Sequence, residues 1–238
     1  MKEAKIIAVI LAGGKGTRLK PFSLSFPKAL MPVGDCPILE LLIRQLKKSG
    51  IKNIIIAVGY LESLIRAYFG DGSKFGVEIT YSNEDFPLGT AGPLNLLKSK
   101  LTDTFLLLNG DILADISFSS LRDYHINSHS LATVAISKRN VEIDFGVVRV
   151  NSEFKFESWE EKPTLEYYVS TGIYVFEPET LRYLPNGFSN VPDLIVSLYN
   201  SQKNISVYHH PGFWLDIGRP EDYQKACLAV DNGDIRLE

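Results

Sequence analysis

Ile6-Ile-Ala-Val-Ile-Leu11-Ala12-Gly13-Gly14-Lys15-Gly16-Thr17-Arg18-Leu19 is the stretch that decides the fold. Its first six residues are apolar without alternation, as in a strand buried on both faces of a parallel sheet. In an open α/β sheet, ligands gather at the C-terminal ends of the strands, and this loop leaves such an end. Glycines at 13, 14 and 16 remove side chains there, so backbone N–H groups can approach a phosphate closely. Lys15, Arg18 and, beyond Pro21 and Pro27, Lys28 add local positive charge. Arginine offers phosphate oxygens a fork and lysine a point charge. The two common phosphate motifs both fail. G-x-x-x-x-G-K-[ST] is absent, and G-x-G-x-x-G begins at Gly14-Lys-Gly16 but puts Leu19 where its last glycine belongs. A glycine-rich turn that only reverses the chain is the alternative.

Outward from this loop, the first half alternates strand and helix. Apolar runs at 54–58 and 104–108 read as two more buried strands, and 77–81 as a short one. Residues 37–49 place Ile38, Leu41, Leu42 and Leu46 at helical spacing, with Pro37 in the first turn and Gly50 at the C-terminus. Helices are also expected over 61–69 and 93–100. That alternation predicts a parallel sheet covered on both faces. The second half changes character. Segments 132–137, 145–150, 154–159 and 169–176 are strand-like, several alternating apolar and polar residues, which predicts partly antiparallel pairing. Helices are expected over 178–184, 192–201 and 220–230. The expectation is one α/β domain over residues 1–238, with a Rossmann-like open mixed sheet, helices on both faces and a second half that closes over a ligand.

Lysine and arginine number 25 against 28 aspartates and glutamates, a formal net charge of -3. That balance offers no bulk attraction to nucleic acid or to an anionic membrane, so an anion must be held locally. Cys36 and Cys227 sit in no C-x-x-C pair and read as reduced thiols. The apolar run at 6–12 is too short to span a membrane and no signal-type cleavage site follows it, so a cytoplasmic location is expected.

Two segments carry carboxylates. Asn109-Gly-Asp111 follows the strand at 104–108, which aims Asp111 into the same sheet-end cleft as the glycine loop. A hard oxygen ligand there suits Mg²⁺, which takes one or two carboxylates plus substrate phosphates; a turn aspartate capping its own backbone is the alternative. In Trp214-Leu-Asp-Ile-Gly218, an aspartate among apolar neighbours is costly to bury unpaired. Metal ligation explains Asp216, and so do an N-cap or a salt bridge.

The string L-A-G-G-K-G-T-R-L-x-P at 11–21, followed by P-K-A-L-M-P-V at 27–33, resembles the signature of the sugar-1-phosphate nucleotidyltransferase family, in its guanylyltransferase-like and thymidylyltransferase-like forms. Further family-like motifs recur downstream in the same order, over nearly the whole chain. The resemblance implies that Leu11, Ala12, Gly13, Gly14, Lys15, Gly16, Thr17 and Arg18 wrap a nucleoside triphosphate. Arg18 would meet the leaving phosphates and Lys28 the reacting centre. It further implies that Asn109 and Asp111 lie on the nucleotide, that Asp111 and Asp216 hold Mg²⁺, and that Arg18, Lys28 and Asp111 form the catalytic set.

Asn83-Glu-Asp-Phe-Pro-Leu-Gly-Thr-Ala-Gly-Pro93 resembles the family's base-recognition segment, with Gly89 and Thr90 against the base. Glu84 stands where relatives for uracil and thymine tend to place glutamine. Guanine presents two adjacent donors, and a carboxylate accepts both. Glu84 therefore leans toward GTP, with a solvated surface glutamate as the alternative. Glu161-Lys-Pro163 resembles the family's E-K-P motif, which implies sugar contacts from Glu161 and a sugar-phosphate contact from Lys162. Phe145-Gly-Val-Val148 and Thr171-Gly-Ile-Tyr174 resemble two further sugar-side segments, bringing Gly146 and Gly172 against the ring. Ser170-Thr171 departs from the Asn-Ala found in relatives.

The implied activity joins a nucleoside triphosphate to a mannose- or heptose-type sugar 1-phosphate with release of pyrophosphate. Uridylyl or thymidylyl transfer to glucose or amino-sugar 1-phosphates, and a non-catalytic nucleotide-sugar-binding regulatory subunit, are the alternatives. No C-terminal β-helical domain is expected, because the chain ends soon after the segment at 220–230. A homodimer is compatible with the sequence. His209-His210 reads as a surface turn, and Tyr167 and Tyr168 as strand residues.

Overall fold

The computed structural model describes residues 6–19, 21–84 and 86–235. In chain order the elements are β1 (Ile7–Leu11), β2 (Pro32–Val33), β3 (Cys36–Pro37), α1 (Ile38–Lys48), β4 (Asn53–Val58), α2 (Glu62–Phe69), β5 (Glu78–Asn83), β6 (Phe105–Asn109), β7 (Ile112–Ala114) and α3 (Phe118–Ser128). They continue with β8 (Ala132–Glu142), β9 (Val147–Val150), β10 (Phe156–Glu160), β11 (Thr164–Phe176), α4 (Val191–Asn200), β12 (Ile205–His209), β13 (Trp214–Asp216) and α5 (Pro220–Asp231).

Seven strands form one mixed sheet in the order β12-β8-β11-β6-β1-β4-β5. β1 pairs in parallel with β4 and β6, β5 joins β4 in parallel, and β11 is inserted antiparallel between β6 and β8. The unalternating apolar runs have the predicted cause, since both faces are covered. Along β1, Ala8 and Ile10 enter one core with Ile54, Ile56, Leu106 and Leu108. Val9 enters the opposite core with Ile55, Phe105 and Leu107. Leu39, Leu42, Ile43 and Leu46 of α1 cover the first face, and Leu194 and Leu198 of α4 the second. Full burial of a leucine or isoleucine side chain contributes roughly 1.5–3 kcal/mol, so these stripes fix each helix to its face.

Two expected helices are 3₁₀ turns instead, Gly92–Leu97 and Pro178–Tyr183. In the first, Leu94 and Leu97 are buried three residues apart while Leu96 is 51% exposed. A 3₁₀ turn aligns i with i+3, so it buries both where an α-helix would splay them. Two strands run longer than expected. β8 continues past Ser137 to Glu142, and β11 begins at Thr164, because the two pair in register from Thr164↔Glu142 to Ser170↔Ile136. The extensions carry few apolar residues and read poorly as strands alone; each is stabilised by the other's backbone. A register shift separates Ser170 from Tyr174. β9 and β10 form a hairpin whose turn is tied by Asn151 Oδ1, which accepts from the amides of Glu153 and Lys155.

Cys36 and Cys227 are unpaired thiols. Among the described residues no helix is long and apolar enough to cross a membrane.

Candidate active site

The C-terminal ends of β1 and β6 lie side by side, with Leu11 paired to Asn109. The amide of Gly110 donates to Leu11 O at 2.9 Å and that of Ala12 to Ala57 O at 2.8 Å, so the chain leaves the sheet from a fixed frame. The glycine loop is closed by the amide of Leu19 and the hydroxyl of Ser23, both donating to Gly16 O. Lys28 opens a 3₁₀ turn whose Ala29 and Leu30 are buried, which plants the lysine at the cavity wall.

Asp111 and Asp216 are brought together by a short antiparallel ladder. β7 pairs with β13 in the register Ile112↔Asp216, and the amide of Ile217 donates to Asp111 O at 3.0 Å. The Lys28 ammonium forms an ion pair with Asp111, its side chain only 11% exposed. Arg18 lies against Gly218, beside the Asp216 carboxylate. Burial pushes the Asp216 carboxyl up from the ordinary aspartate range, and the Asp111 charge adds to the rise; Lys28 and Arg18 pull the other way. Two carboxylates and two cations thus meet at the sheet end, the kind of charged cluster that marks a candidate functional site.

A cavity of about 470 Å³ opens over this frame. Its wall brings together Leu11, Ala12, Gly13, Gly14, Gly16, Thr17, Arg18, Lys28, Glu84, Gly89, Thr90, Asn109, Asp111 and Asp216 from the sequence-derived set. Ala29, Pro87, Gly110 and Phe188 line it too. Pro87 and Gly110 fall inside motifs already singled out, but no sequence signal marks Phe188. Lys15 lies outside the lining.

The sugar-side residues are absent from this cavity's wall; Gly146, Glu161 and Lys162 flank the β9–β10 hairpin, and Ser170, Thr171 and Gly172 lie on β11. Trp159 Nε1 donates to Glu161 Oε2 at 3.1 Å, and Gly146 packs against the same ring and carboxylate. Lys162 is exposed, with a positive φ of 44°. The Ser170 hydroxyl meets Tyr174 OH at 2.8 Å. Thr171 donates its hydroxyl to Ala135 O and accepts Trp214 Nε1–H on its carbonyl, so its polar atoms are engaged within the protein. Gly172 is the bridge to the cavity. It lies at the β11 register shift with φ 75°, and a Cβ there would stand 2.5 Å from Asn109 Nδ2. Gly172→Ala is therefore expected to cost roughly 1–3 kcal/mol, read as a lower Tm, and to displace Asn109.

Glu84 is half-buried in the cavity wall, beside Gly13. Its Oε2 accepts the Leu88 amide at 3.0 Å, and its Oε1 faces Gly13. Burial raises its pKa, with the Leu88 amide partly offsetting the rise. Asp85, beside it in the base-recognition segment, is outside the described residues. Thr90 accepts the Val191 amide on its hydroxyl at 2.9 Å, which joins this segment to the start of α4.

Among the described residues no three His, Cys, Asp or Glu side chains converge on a metal-sized space. A pair of carboxylates, with substrate phosphates to complete the shell, is still the donor set that Mg²⁺ prefers. The surface turn expected at His209-His210 is corrected at both residues: His209 is exposed but ends strand β12, paired with Ile136. His210 is buried, with Nε2 2.9 Å from Asp115 Oδ1 and 3.1 Å from Phe213 O, because it packs under the start of β13.

A family model described as nucleotidyl transferase matches residues 7–233. The chain belongs to the nucleotidyl transferase family. Among curated members it is 33% identical over 249 residues to a UTP–glucose-1-phosphate uridylyltransferase of Synechocystis, covering 96% of this chain and 64% of that one. It is also 33% identical to a mannose-1-phosphate guanylyltransferase of Mycobacterium tuberculosis, covering 98% and 67%. The chain thus spans about two thirds or less of the length of the curated nucleotidyl transferases it matches. A Bacillus anthracis structure assigned as a glucose-1-phosphate thymidylyltransferase superposes with a TM-score of 0.79 at 27% identity, covering 97% of this chain and 96% of that one. The mixed central sheet is that of this nucleotidyl transferase fold.

Proposed function

We propose that this chain transfers a nucleotidyl group from a nucleoside triphosphate to a sugar 1-phosphate and releases pyrophosphate. The observation that carries the reading is the convergence of the glycine loop, Arg18, Lys28, Asp111 and Asp216 on one cavity at the sheet end. A phosphate oxygen of the sugar 1-phosphate attacks the α-phosphorus in line; the new P–O bond forms as the bond to the pyrophosphate oxygen breaks. The nucleophile is already an anion at neutral pH, so no general base is needed. The barrier is the meeting of two polyanions, and charge neutralisation with positioning lowers it. Arg18 and Lys28 neutralise phosphate oxygens, and the glycine loop offers oriented N–H groups. Asp111 and Asp216 would hold Mg²⁺, which when bound supplies positive charge at the phosphates.

GTP is the triphosphate we favour. Glu84 supports it: the residue lines the cavity, and its Oε1, beside Gly13, is not the oxygen that takes the Leu88 amide. Relatives named as mannose-1-phosphate guanylyltransferases support GTP and mannose 1-phosphate, a heptose-type sugar being our extension of that reading, and the Synechocystis relative keeps glucose 1-phosphate with UTP as the second reading. A cytoplasmic location and a homodimer complete the proposal.

Glu84→Gln tests the base. It is expected to raise the KM for GTP roughly tenfold while leaving UTP little changed, because a glutamine that keeps its oxygen on the Leu88 amide turns an NH2 donor toward guanine's own donors. Acid should do the same to the wild type. With its pKa raised, Glu84 protonates at a higher pH than an ordinary glutamate, and the GTP KM climbs there; the Gln variant is flat over that window. Stability moves oppositely. A raised folded-state pKa contributes to folding below the unfolded pKa, and that contribution is lost as pH rises through the folded value. Glu84→Gln is thus expected to raise the Tm at neutral pH. An unchanged GTP-to-UTP ratio would exclude Glu84 from base selection.

A further inference from the structure

Phe188 is 64% exposed, yet it lines the cavity beside Glu84, Pro87, Gly89 and Thr90. A single exposed phenylalanine is ordinary; one in the wall of the cavity that holds Arg18, Lys28 and Asp111 calls for a role. The chain that follows it directly is clamped to the segment that carries Gly89 and Thr90. The Ser189 amide donates to Leu88 O at 2.9 Å, and Ser189 O accepts the amides of Ala91 and Gly92 at 2.9 and 3.1 Å. Asn190 Oδ1 accepts the Thr90 amide, while Thr90 Oγ1 accepts that of Val191. The approach is so close that a Cβ on Gly89 would stand 2.3 Å from Ser189 O, and Gly89 takes φ 82°. Residue 188 thus projects from a fixed backbone.

The cavity wall holds two groups of residues. Arg18, Lys28, Asp111 and Asp216 are gathered by the Lys28–Asp111 ion pair and the approach of Arg18 to Asp216, while Glu84, Pro87, Gly89, Thr90 and Phe188 come from two segments hydrogen-bonded to each other. A nucleoside triphosphate likewise joins phosphates to an uncharged π-face. We infer that Phe188 is a base-stacking residue that supplies nucleotide affinity without choosing the base. The inference rests on the nucleotidyltransferase reading and divides its nucleotide end into two roles. Stacking is open to every base, because each has a π-face, whereas the Glu84 carboxylate discriminates by donor pattern.

The division is measurable. Phe188→Ala is expected to raise the KM for GTP and for UTP together, by roughly 5- to 50-fold, with kcat and the KM for the sugar 1-phosphate little changed. Phe188→Trp should restore affinity, and Phe188→Leu only part of it. Because the ring is exposed, the variants keep the wild-type Tm. Calorimetric titration with GTP, UTP and dTTP runs beside the kinetics. Weaker binding by Phe188→Ala with a wild type that binds but does not turn over supports the stacking role and overturns the transferase reading. An unchanged nucleotide KM and Kd in Phe188→Ala, or a loss confined to the sugar 1-phosphate, overturns the stacking role and leaves the transferase reading intact. A wild type that binds none of the three overturns both.

Discussion

Lys28→Ala is expected to lower kcat/KM by roughly 10²- to 10³-fold, the effect of removing a preorganised charge from a developing phosphate anion. The geometry adds a second consequence. Lys28 is the ion-pair partner of Asp111, and Asp111 already raises the pKa of Asp216. Without the ammonium, two carboxylates share a half-buried site with Arg18 as the remaining nearby cation. The variant should therefore lose stability as well, by about 1–3 kcal/mol, the usual penalty for an unpartnered buried polar group. Mg²⁺ should return part of that stability, because it replaces the missing charge, but it should not return turnover. Initial rates and Tm with and without Mg²⁺ separate the two effects. Wild-type turnover in Lys28→Ala would remove this lysine from the phosphate site.

Asp111→Asn is expected to be at least as damaging, with turnover down by roughly 10³-fold and the Mg²⁺ dependence displaced to much higher concentration. Asp111 is fixed from both sides, through Gly110 to β1 and through the Ile217 amide to the end of β13. Asparagine fits the same space and keeps those backbone bonds, so the fold should survive. What it loses is one of two anionic oxygen donors, and Mg²⁺ holds weakly to neutral oxygens with its waters in competition. Titration of Mn²⁺, followed spectroscopically, checks the metal without relying on turnover. Equal metal affinity in Asp111→Asn and the wild type would show that the ladder does not build a metal site.

Much of this arrangement was legible because it depends on the chemistry of strand ends. The runs at 6–11, 54–58 and 104–108 lack alternation because both faces are buried, and the loops that leave two of them are the cavity floor. Asp111 follows such an end directly, so its place could be read. Asp216 could be paired with it only through the family resemblance, since the β7–β13 ladder leaves three-residue strands too short to announce themselves. The 3₁₀ turns at 92–97 and 178–183 share composition with α-helices and differ only in which residues the core demands. Phe188 was illegible for another reason. It reaches the cavity through contacts between residues about a hundred positions apart, and nothing local in Pro185-Asn-Gly-Phe188 encodes them. On the sugar side, the polar atoms of Thr171 and the Glu161 carboxylate meet protein partners, which no motif string reveals.

The central claim is that the glycine loop, two cations and two carboxylates make one site for two phosphorylated substrates. Its most direct test is pyrophosphate release measured over GTP, UTP and dTTP against mannose, heptose and glucose 1-phosphates, with and without Mg²⁺. Release is expected only when triphosphate, sugar 1-phosphate and Mg²⁺ are all present, with GTP and a mannose- or heptose-type sugar giving the highest kcat/KM. A chain that binds nucleotide yet releases no pyrophosphate with any pair would contradict it and make the protein a nucleotide-sugar-binding regulatory subunit.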